Sequence, residues 1–197
     1  MNKKLKFGLI AALMILLLVG AGALYRHLSA GMETVPLPES SAATGTPDPA
    51  ATEQPKAPDF TAYDAEGNEA ALSSYLGKPI VLNFWASWCG PCRSEMPDFQ
   101  TAYELYGDEI HFVLVNMTDG ARETKETAMQ FLEEQGFTFP VLFDERSDAA
   151  IAYSVRTLPA TYFIDADGYA VAAARGMLNL ETLERGIGMI RAEAAGE

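Results

Sequence analysis

Apolar residues follow three different patterns along the chain. Residues 7–25 form a run of 19 positions without a charged side chain. Residues 26–56 are rich in Pro, Ala, Ser and Thr and show no apolar periodicity. From residue 57 to residue 197, short apolar runs alternate with apolar positions at helical spacing. The pattern predicts a membrane-spanning segment, a flexible linker and one folded domain, in that order.

The folded region is predicted to alternate between strands and helices. Residues 80–86 are almost all apolar, as in a strand that is buried on both faces. After this strand, Cys92, Met96 and Phe99 recur at helical spacing, which places them on one face of a helix. This alternation predicts an α/β sandwich with helices on both faces of a central sheet. The other predicted elements are hairpins at 60–72 and 161–174, strands at 110–117 and 139–143, a helix that ends at Gly136, a short helix at 147–154 and a last helix capped by Asn179.

Charges at the ends of the first apolar run predict its orientation. Lys3, Lys4 and Lys6 precede the run, and Arg26 follows it. A helix rises about 1.5 Å per residue, so the run reaches roughly 28 Å, close to the thickness of the hydrocarbon core. Because positive charge stays on the cytoplasmic side, residues 1–6 are predicted in the cytoplasm and the folded domain outside it.

A cleaved signal peptide is the alternative to this anchor. Residues 21–23, Ala-Gly-Ala, resemble a small-residue cleavage site. The apolar run is long for a cleaved peptide, so a retained signal anchor is favoured. The predicted location is therefore the cell membrane, crossed once, with the domain on the extracytoplasmic side.

Composition narrows the set of partners. The chain has 14 Lys and Arg against 27 Asp and Glu, a net charge of −13. Nucleic-acid binding needs clustered basic residues, so this class of partner is excluded. Residues 57–197 alone carry nine basic and 23 acidic side chains, which is typical of the solvated surface of a soluble domain, here expected to be monomeric.

The two cysteines are placed where a helix is predicted to begin. Cys89 and Cys92 follow the buried strand, and Pro91 suits the first helical position. At a helix N-terminus, free N–H groups and the helix dipole favour the thiolate form of Cys89. Cys92, on the buried side of the same turn, is placed to attack a mixed disulfide formed at Cys89. The spacing therefore predicts a pair that cycles between dithiol and disulfide.

Two other uses of the cysteines are weighed against redox catalysis. A structural zinc site needs four ligands, and the histidines of the sequence are His27 and His111 alone. A structural disulfide between Cys89 and Cys92 would close a loop too small to constrain the unfolded chain. Redox catalysis is therefore predicted, with no metal and no cofactor beyond the redox-active disulfide itself.

The residues around the cysteines resemble a known family. The stretch FWASWCGPC at 84–92 resembles the active-site motif of the thioredoxin superfamily. Further stretches extend the resemblance to the membrane-anchored TlpA/ResA-like thiol-disulfide oxidoreductases, over residues 58–192. The resemblance implies a thioredoxin-like three-layer sandwich with a mixed sheet, an N-terminal hairpin and an extra helix-and-strand insertion at 118–139. The further stretches are LGKP at 76–79, CRSEMP at 92–97, FPVLFD at 139–144, VRTLPATYFID at 155–165 and Asp167-Gly168.

The resemblance also implies which residues contact substrate. Pro159 matches the family's cis-proline, which faces the cysteine pair. The backbone of Leu158, just before it, is implied to pair with the bound substrate chain. The implied substrate-binding surface beside the first cysteine is formed by Trp88, Gly90 and Pro91.

Glu95 matches the acidic residue that these proteins carry three positions after the second cysteine. One helical turn from Cys92, its carboxyl is placed to exchange protons with the buried thiol, which makes it a third catalytic residue. An exposed helix glutamate is the alternative interpretation. Asn83 stands where thioredoxin has an aspartate, so proton transfer is expected to pass to Glu95 or to water.

The resulting hypothesis is an extracytoplasmic, membrane-tethered thiol-disulfide oxidoreductase that reduces disulfides in exported proteins. The family implies apocytochrome c as one substrate class. A membrane partner is expected to supply electrons, because the sequence has no nucleotide-binding fingerprint. The main alternative is an oxidant that forms disulfides. Less favoured are a peroxiredoxin-type peroxidase, which usually has a distant second cysteine, and a copper-binding Sco-type protein, which would need a C-x-x-x-C motif.

Overall fold

The computed structural model of the protein describes residues 54–194. The predicted anchor at 7–25 and the linker up to residue 53 lie outside the described residues. None of the helices formed by residues 54–194 is long and apolar enough to cross a membrane.

Strands and helices alternate in the described part of the chain, as the apolar pattern predicts. A first hairpin leads through a short 3₁₀ helix (Leu72–Tyr75) into the alternating region. The strands are β1 (Thr61–Tyr63), β2 (Glu69–Ala71), β3 (Ile80–Trp85), β4 (His111–Asn116), β5 (Val141–Phe143), β6 (Ala160–Ile164) and β7 (Ala170–Arg175). The α-helices are α1 (Gly90–Tyr106), α2 (Lys125–Gln135), α3 (Asp148–Ala152) and α4 (Leu180–Ala194).

The strands form one mixed sheet in the order β2-β1-β5-β4-β3-β6-β7. Strands β3, β4 and β5 are parallel, whereas β6 runs antiparallel to β3 and β7 antiparallel to β6. All six residues of β3 are buried. The near-continuous apolar run at 80–86 therefore marks the centre of the sheet, where both faces of a strand are covered.

Successive residues of β3 supply the two faces of the sheet, because side chains alternate along a strand. Val81 and Trp85 pack with buried residues of α1, α2 and α4. Ile80, Leu82 and Phe84 pack with the first hairpin and α3 on the opposite face. The molecule is thus a three-layer thioredoxin-like sandwich, and the predicted fold class is confirmed for the described domain.

The insertion expected at 118–139 contains a helix but no strand. Residues 118–124 form a loop, α2 follows and ends at Gly136, and β5 begins only at Val141. Phe139 is buried, but Pro140 has no N–H to donate to a neighbouring strand. The expected helix is confirmed, and the expected strand lies beyond the insertion because the hydrogen-bonded ladder begins after the proline.

Helix α4 is held at its N-terminus by two side chains. The Asn179 side chain accepts a hydrogen bond from the backbone N–H of Thr182 at 3.0 Å, as its predicted capping role requires. Asp98 of α1 accepts a second one from the backbone N–H of Leu180 at 3.1 Å. These caps fix the chain just before α4 against α1, which carries the cysteine motif.

Candidate active site

The cysteine pair lies at the junction between the central strand and α1. Cys89 is the residue at which the helix is capped, and its sulfur is bonded to Cys92 with an S–S distance of 2.08 Å. Cys92 is fully buried, and Cys89 is nearly so. The backbone N–H of Cys92 donates to the Sγ of Cys89 at 3.2 Å. The first helical turn thus presents an N–H to the sulfur that is expected to act as nucleophile, which favours its thiolate form after reduction.

Three of the residues expected to contact substrate adjoin Cys89 in the chain and are exposed, whereas Pro159 is buried. Gly90 and Pro91 are exposed, with Pro91 in the first turn of α1. Trp88 is 41% exposed, whereas Trp85, three residues earlier, is fully buried in the core. The site therefore has one apolar aromatic side chain available to a partner directly before Cys89.

The proline loop lies next to the active-site strand. The Leu158–Pro159 peptide bond is cis, as the resemblance implies. Ala160 follows it and pairs with Phe84 of β3. Leu158 is half-buried and packs against the core cluster that includes both cysteines. The structure thus brings Leu158, Pro159 and the cysteine motif to the same end of the sheet, although they are some 65 residues apart in sequence.

Glu95 is buried, which rules out the interpretation as an exposed helix residue. It is only 1% exposed. One carboxylate oxygen accepts a hydrogen bond from Nδ2 of Asn83 at 3.0 Å, and the other accepts one from the backbone N–H of Leu178 at 2.9 Å. Burial raises the pKa of Glu95 from 4.5 to about 7, against the lowering effect of these two hydrogen bonds. A carboxyl with a pKa near neutrality is suited to both accept and release a proton.

Asn83 positions this carboxyl from the central strand. Its Nδ2 also donates to the Oγ1 of Thr161 on β6 at 3.0 Å, and both side chains are buried. The amide is therefore held between two acceptors and donates one hydrogen bond to Glu95 and one to Thr161. Because position 83 is an asparagine and not the aspartate of thioredoxin, Glu95 is the one carboxyl in the hydrogen-bonded group of Asn83, Glu95 and Thr161.

A second buried glutamate reaches the active-site loop from the insertion. Glu123 is fully buried, and its Oε1 accepts hydrogen bonds from the backbone N–H of Ser87 at 2.8 Å and from Nδ2 of Asn116 at 2.6 Å. Its Oε2 accepts one from the Ser87 hydroxyl at 2.7 Å. Ser87 lies two residues before Cys89, so the insertion holds the loop that leads to the nucleophile. The sequence analysis missed this contact, because a glutamate in a polar loop carries no signal of burial.

Arg122, which precedes Glu123 in the insertion, stacks on the ring of the exposed Trp88. The guanidinium carbon of Arg122 lies 3.6 Å from the centroid of the Trp88 ring, a close cation–π contact. The loop itself is stiffened by Asp119, whose Oδ1 accepts three hydrogen bonds from the backbone N–H groups of residues 121–123. The surface beside Cys89 is thus built from two segments, the cysteine loop and the insertion.

The chemistry that the described residues provide is that of a disulfide and a carboxyl. Among residues 54–194, no group of three or more His, Cys, Asp or Glu side chains is placed to hold a metal ion. What the site does provide is a reversible disulfide at a helix N-terminus with a buried carboxyl one turn away. This arrangement can exchange its disulfide with the thiols or disulfides of another molecule.

Comparison with known proteins agrees with this chemistry. The sequence profile of the AhpC/TSA family matches residues 54–173. The thiol-disulfide oxidoreductase ResA of Geobacillus kaustophilus is 37% identical over 136 residues, which are 68% of this chain and 76% of the relative. The thioredoxin-like protein YneN of Bacillus subtilis is 37% identical over 113 residues, which are 57% of this chain and 65% of that protein.

A solved structure shows the same fold. The crystal structure of a thiol:disulfide interchange protein DsbE homologue from Chlorobium tepidum superposes with a TM-score of 0.61 at 32% identity, covering 68% of this chain and 94% of that chain. This chain therefore belongs to the AhpC/TSA family and is one of its ResA-like thiol-disulfide oxidoreductases.

Proposed function

We propose that this enzyme reduces disulfides in exported proteins, with apocytochrome c as one substrate class, from a membrane-tethered position outside the cytoplasm. The observation that carries the proposal is the Cys89–Cys92 disulfide at a helix start, one turn from a buried Glu95 whose pKa is about 7. The Gly-Pro pair between the cysteines is shared with thioredoxin, a reductant with a potential of about −270 mV. The lysine-flanked apolar run at 7–25 supports the tether and its orientation.

The first step uses the reduced enzyme. The Cys89 thiolate attacks one sulfur of the substrate disulfide, so a Cys89–substrate S–S bond forms while the substrate's own S–S bond breaks. The displaced substrate sulfur leaves as a thiolate and takes a proton from solvent. The product of this step is a mixed disulfide between enzyme and substrate.

The second step releases the substrate. The Glu95 carboxylate accepts the proton of the Cys92 thiol, and the resulting thiolate attacks the sulfur of Cys89. The Cys89–Cys92 bond forms, the mixed disulfide breaks, and the second substrate sulfur leaves as a thiolate that takes the proton held by Glu95, which returns to its carboxylate form. Two electrons have passed from the enzyme to the substrate. A membrane partner of the enzyme returns two electrons and two protons to the pair.

Trapping of the mixed disulfide tests the proposal. The Cys92→Ser variant of the full chain completes the first step but not the second, so covalent complexes with exported proteins should accumulate in cells. The Cys89→Ser/Cys92→Ser double variant is the matched control and should capture none. If the single variant captures no exported protein, the proposed substrate class is wrong.

The redox potential separates a reductase from the alternative oxidant. Equilibration of the purified protein with glutathione should give a potential close to that of thioredoxin, about −270 mV. A value above about −150 mV, near that of the oxidant DsbA at about −120 mV, would instead assign disulfide formation to this enzyme. Mass spectrometry of the mature N-terminus tests the tether, and a chain that begins near Leu24 would contradict it.

The pH dependence of alkylation tests the role of Glu95. Removal of its carboxyl in Glu95→Gln should shift the pH profile of the reaction of the reduced cysteines with iodoacetamide, because the two thiols then lose a nearby proton acceptor. An unchanged profile would show that Glu95 takes no part in proton transfer. The matched control is Glu104→Gln on the exposed side of the same helix, which should leave the profile as it is.

A further inference from the structure

Basic residues are sparse in this domain, yet several of them surround the cysteine motif. Residues 57–197 contain nine Lys and Arg against 23 Asp and Glu. Four of the nine are exposed arginines close to the active-site loop or the proline loop. Within residues 54–194 none of these four forms a salt bridge, whereas three other arginines of the domain do. We call these four the basic rim: Arg93, Arg122, Arg156 and Arg175.

Two members of the basic rim lie on the side of the insertion. Arg93 directly follows Cys92, and its guanidinium carbon is 5.0 Å from the ring centroid of Phe131 on α2. Arg122 lies over the ring of Trp88. Stacking on an aromatic ring leaves the N–H groups at the edge of a guanidinium free to bind a carboxylate. These two cations therefore flank the exposed surface beside the cysteine pair.

The other two members lie on the side of the proline loop. Arg156 and Arg175 line one cleft of about 450 Å³. Arg175 pairs with Ala160 in the sheet, and Ala160 pairs with Phe84. Since neighbouring strands are about 4.8 Å apart, the Arg175 backbone lies roughly 10 Å from the strand that leads into the cysteine loop. The backbone N–H of the next residue, Gly176, donates to the carbonyl oxygen of Pro159 at 2.9 Å.

Carboxylates near the basic rim are engaged with backbone groups. The Oδ1 of Asp119 accepts the N–H groups of residues 121–123, and the buried Glu123 accepts that of Ser87. Glu95 is buried and accepts hydrogen bonds from Asn83 and Leu178. Arg122 attracts the Asp119 carboxylate electrostatically. Among the described residues, however, none of the four exposed rim arginines forms a salt bridge, on a surface that is acidic elsewhere.

We propose that the basic rim binds acidic side chains that flank the disulfide of the protein substrate, a proposal that rests on the reductase function above. Guanidinium groups bind carboxylates through paired, charge-assisted hydrogen bonds. An acidic segment is repelled by the rest of this domain and attracted at the rim, so it approaches with its disulfide next to Cys89. Substrate class is thereby set by charge around the disulfide.

Matched peptides test this proposal with the reduced full chain. Three peptides with the same disulfide carry Asp and Glu, Ser, or Lys beside the cysteines, and the rate constant kcat/KM is measured for each at 20 mM and 300 mM NaCl. We expect the acidic peptide to react fastest and the Lys peptide slowest at low salt. The preference should shrink at high salt, because exposed charges are screened.

Charge-removing variants identify the residues responsible. An exposed ion pair changes a binding constant by a factor of roughly 1.5 to 5. The variant Arg156→Gln/Arg175→Gln removes two such cations, so kcat/KM for the acidic peptide should fall about three- to tenfold, mainly because KM rises. Reaction with the Ser peptide should stay unchanged. The matched control is Arg185→Gln on α4, which removes an equal charge from a residue that pairs with Glu181 and should leave the preference intact.

Each other outcome has a defined meaning. Equal rates for the acidic and Lys peptides would contradict the proposed binding of acidic side chains by the basic rim and would leave the reductase function standing. A parallel loss for all three peptides, with slower alkylation of Cys89, would show that the arginines act on the thiolate and not on substrate charge, and would also overturn it. If the wild-type enzyme reduces none of the peptides, the reductase proposal fails and the rim proposal fails with it.

Discussion

The protonation of Glu95 gives the protein a specific dependence of stability on pH. The folded state binds this proton more tightly than the unfolded chain, because burial raises the pKa from 4.5 to about 7. The stabilising effect is therefore fully present below about pH 4.5, is lost as the pH rises to about 7, and changes no further above that. A rise of this size in pKa corresponds to roughly 3 kcal/mol in the free energy of unfolding.

The Glu95→Gln variant isolates this effect, because glutamine stays neutral at every pH. Its single carbonyl oxygen can accept only one of the two hydrogen bonds from Asn83 and Leu178, which costs about 1 kcal/mol independently of pH. Between pH 5 and pH 8, the difference in stability should change by roughly 2.5 kcal/mol in favour of the variant. We expect the two proteins to be about equally stable at pH 5 and the variant to be about 2 kcal/mol more stable at pH 8.

Urea unfolding measures this difference. Both proteins are kept oxidised, so the cysteines do not titrate, and tryptophan fluorescence reports unfolding at pH 5, 6, 7 and 8. Other groups that titrate in this range are common to both proteins and cancel in the difference. Glu104→Gln, on the exposed side of α1, should keep the pH dependence of the wild type. A difference between wild type and Glu95→Gln that stays constant from pH 5 to pH 8 would refute the burial and the raised pKa of Glu95.

Two further predictions concern packing around the site and in α4. Glu123→Ala removes the acceptor of both hydrogen bonds from Ser87, so the urea midpoint should fall by the equivalent of about 2–4 kcal/mol, and an unchanged midpoint would contradict the buried contact. In Gly186→Ala the new Cβ would clash with the ring of Phe163, which should cost about 1–3 kcal/mol. Gly188→Ala, two residues later in the same helix, places its Cβ in open space and should instead stabilise the protein by up to about 1 kcal/mol. Equal changes in the free energy of unfolding for the two variants would exclude the close contact at Gly186.

The parts of the site that the sequence analysis predicted are those determined by short-range pattern. The buried strand, the turn and the helix start occupy one continuous stretch, 80–106, so periodicity and the preference of proline for the first turn place Cys89 and Cys92 directly. The cis bond before Pro159 came from the resemblance to the family and not from local pattern. Both expectations agree with the structure.

The contact between the insertion and the cysteine loop could not be predicted in this way. Glu123 and Ser87 are 36 residues apart and belong to neither a helix nor a strand, so no periodic pattern links them. Burial of a carboxylate is uncommon unless hydrogen-bond donors compensate it. Those donors are a backbone N–H, a hydroxyl and the amide of Asn116, and they converge only after the sheet has formed.

Glu95 shows how a local pattern and a tertiary contact combine. Its position one turn after Cys92 follows from the sequence, but its protonation also depends on groups from two other parts of the chain, Asn83 on β3 and the backbone N–H of Leu178. Were position 83 an aspartate as in thioredoxin, a second carboxylate would stand about 3 Å from the first, and the repulsion would raise the pKa of the pair further. Asn83 instead donates a hydrogen bond and lowers the pKa of Glu95 toward neutrality. In the proposed mechanism, the amide on the strand positions the acid on the helix, and its hydrogen bond holds the pKa of Glu95 near neutrality, where a carboxyl can accept and release a proton.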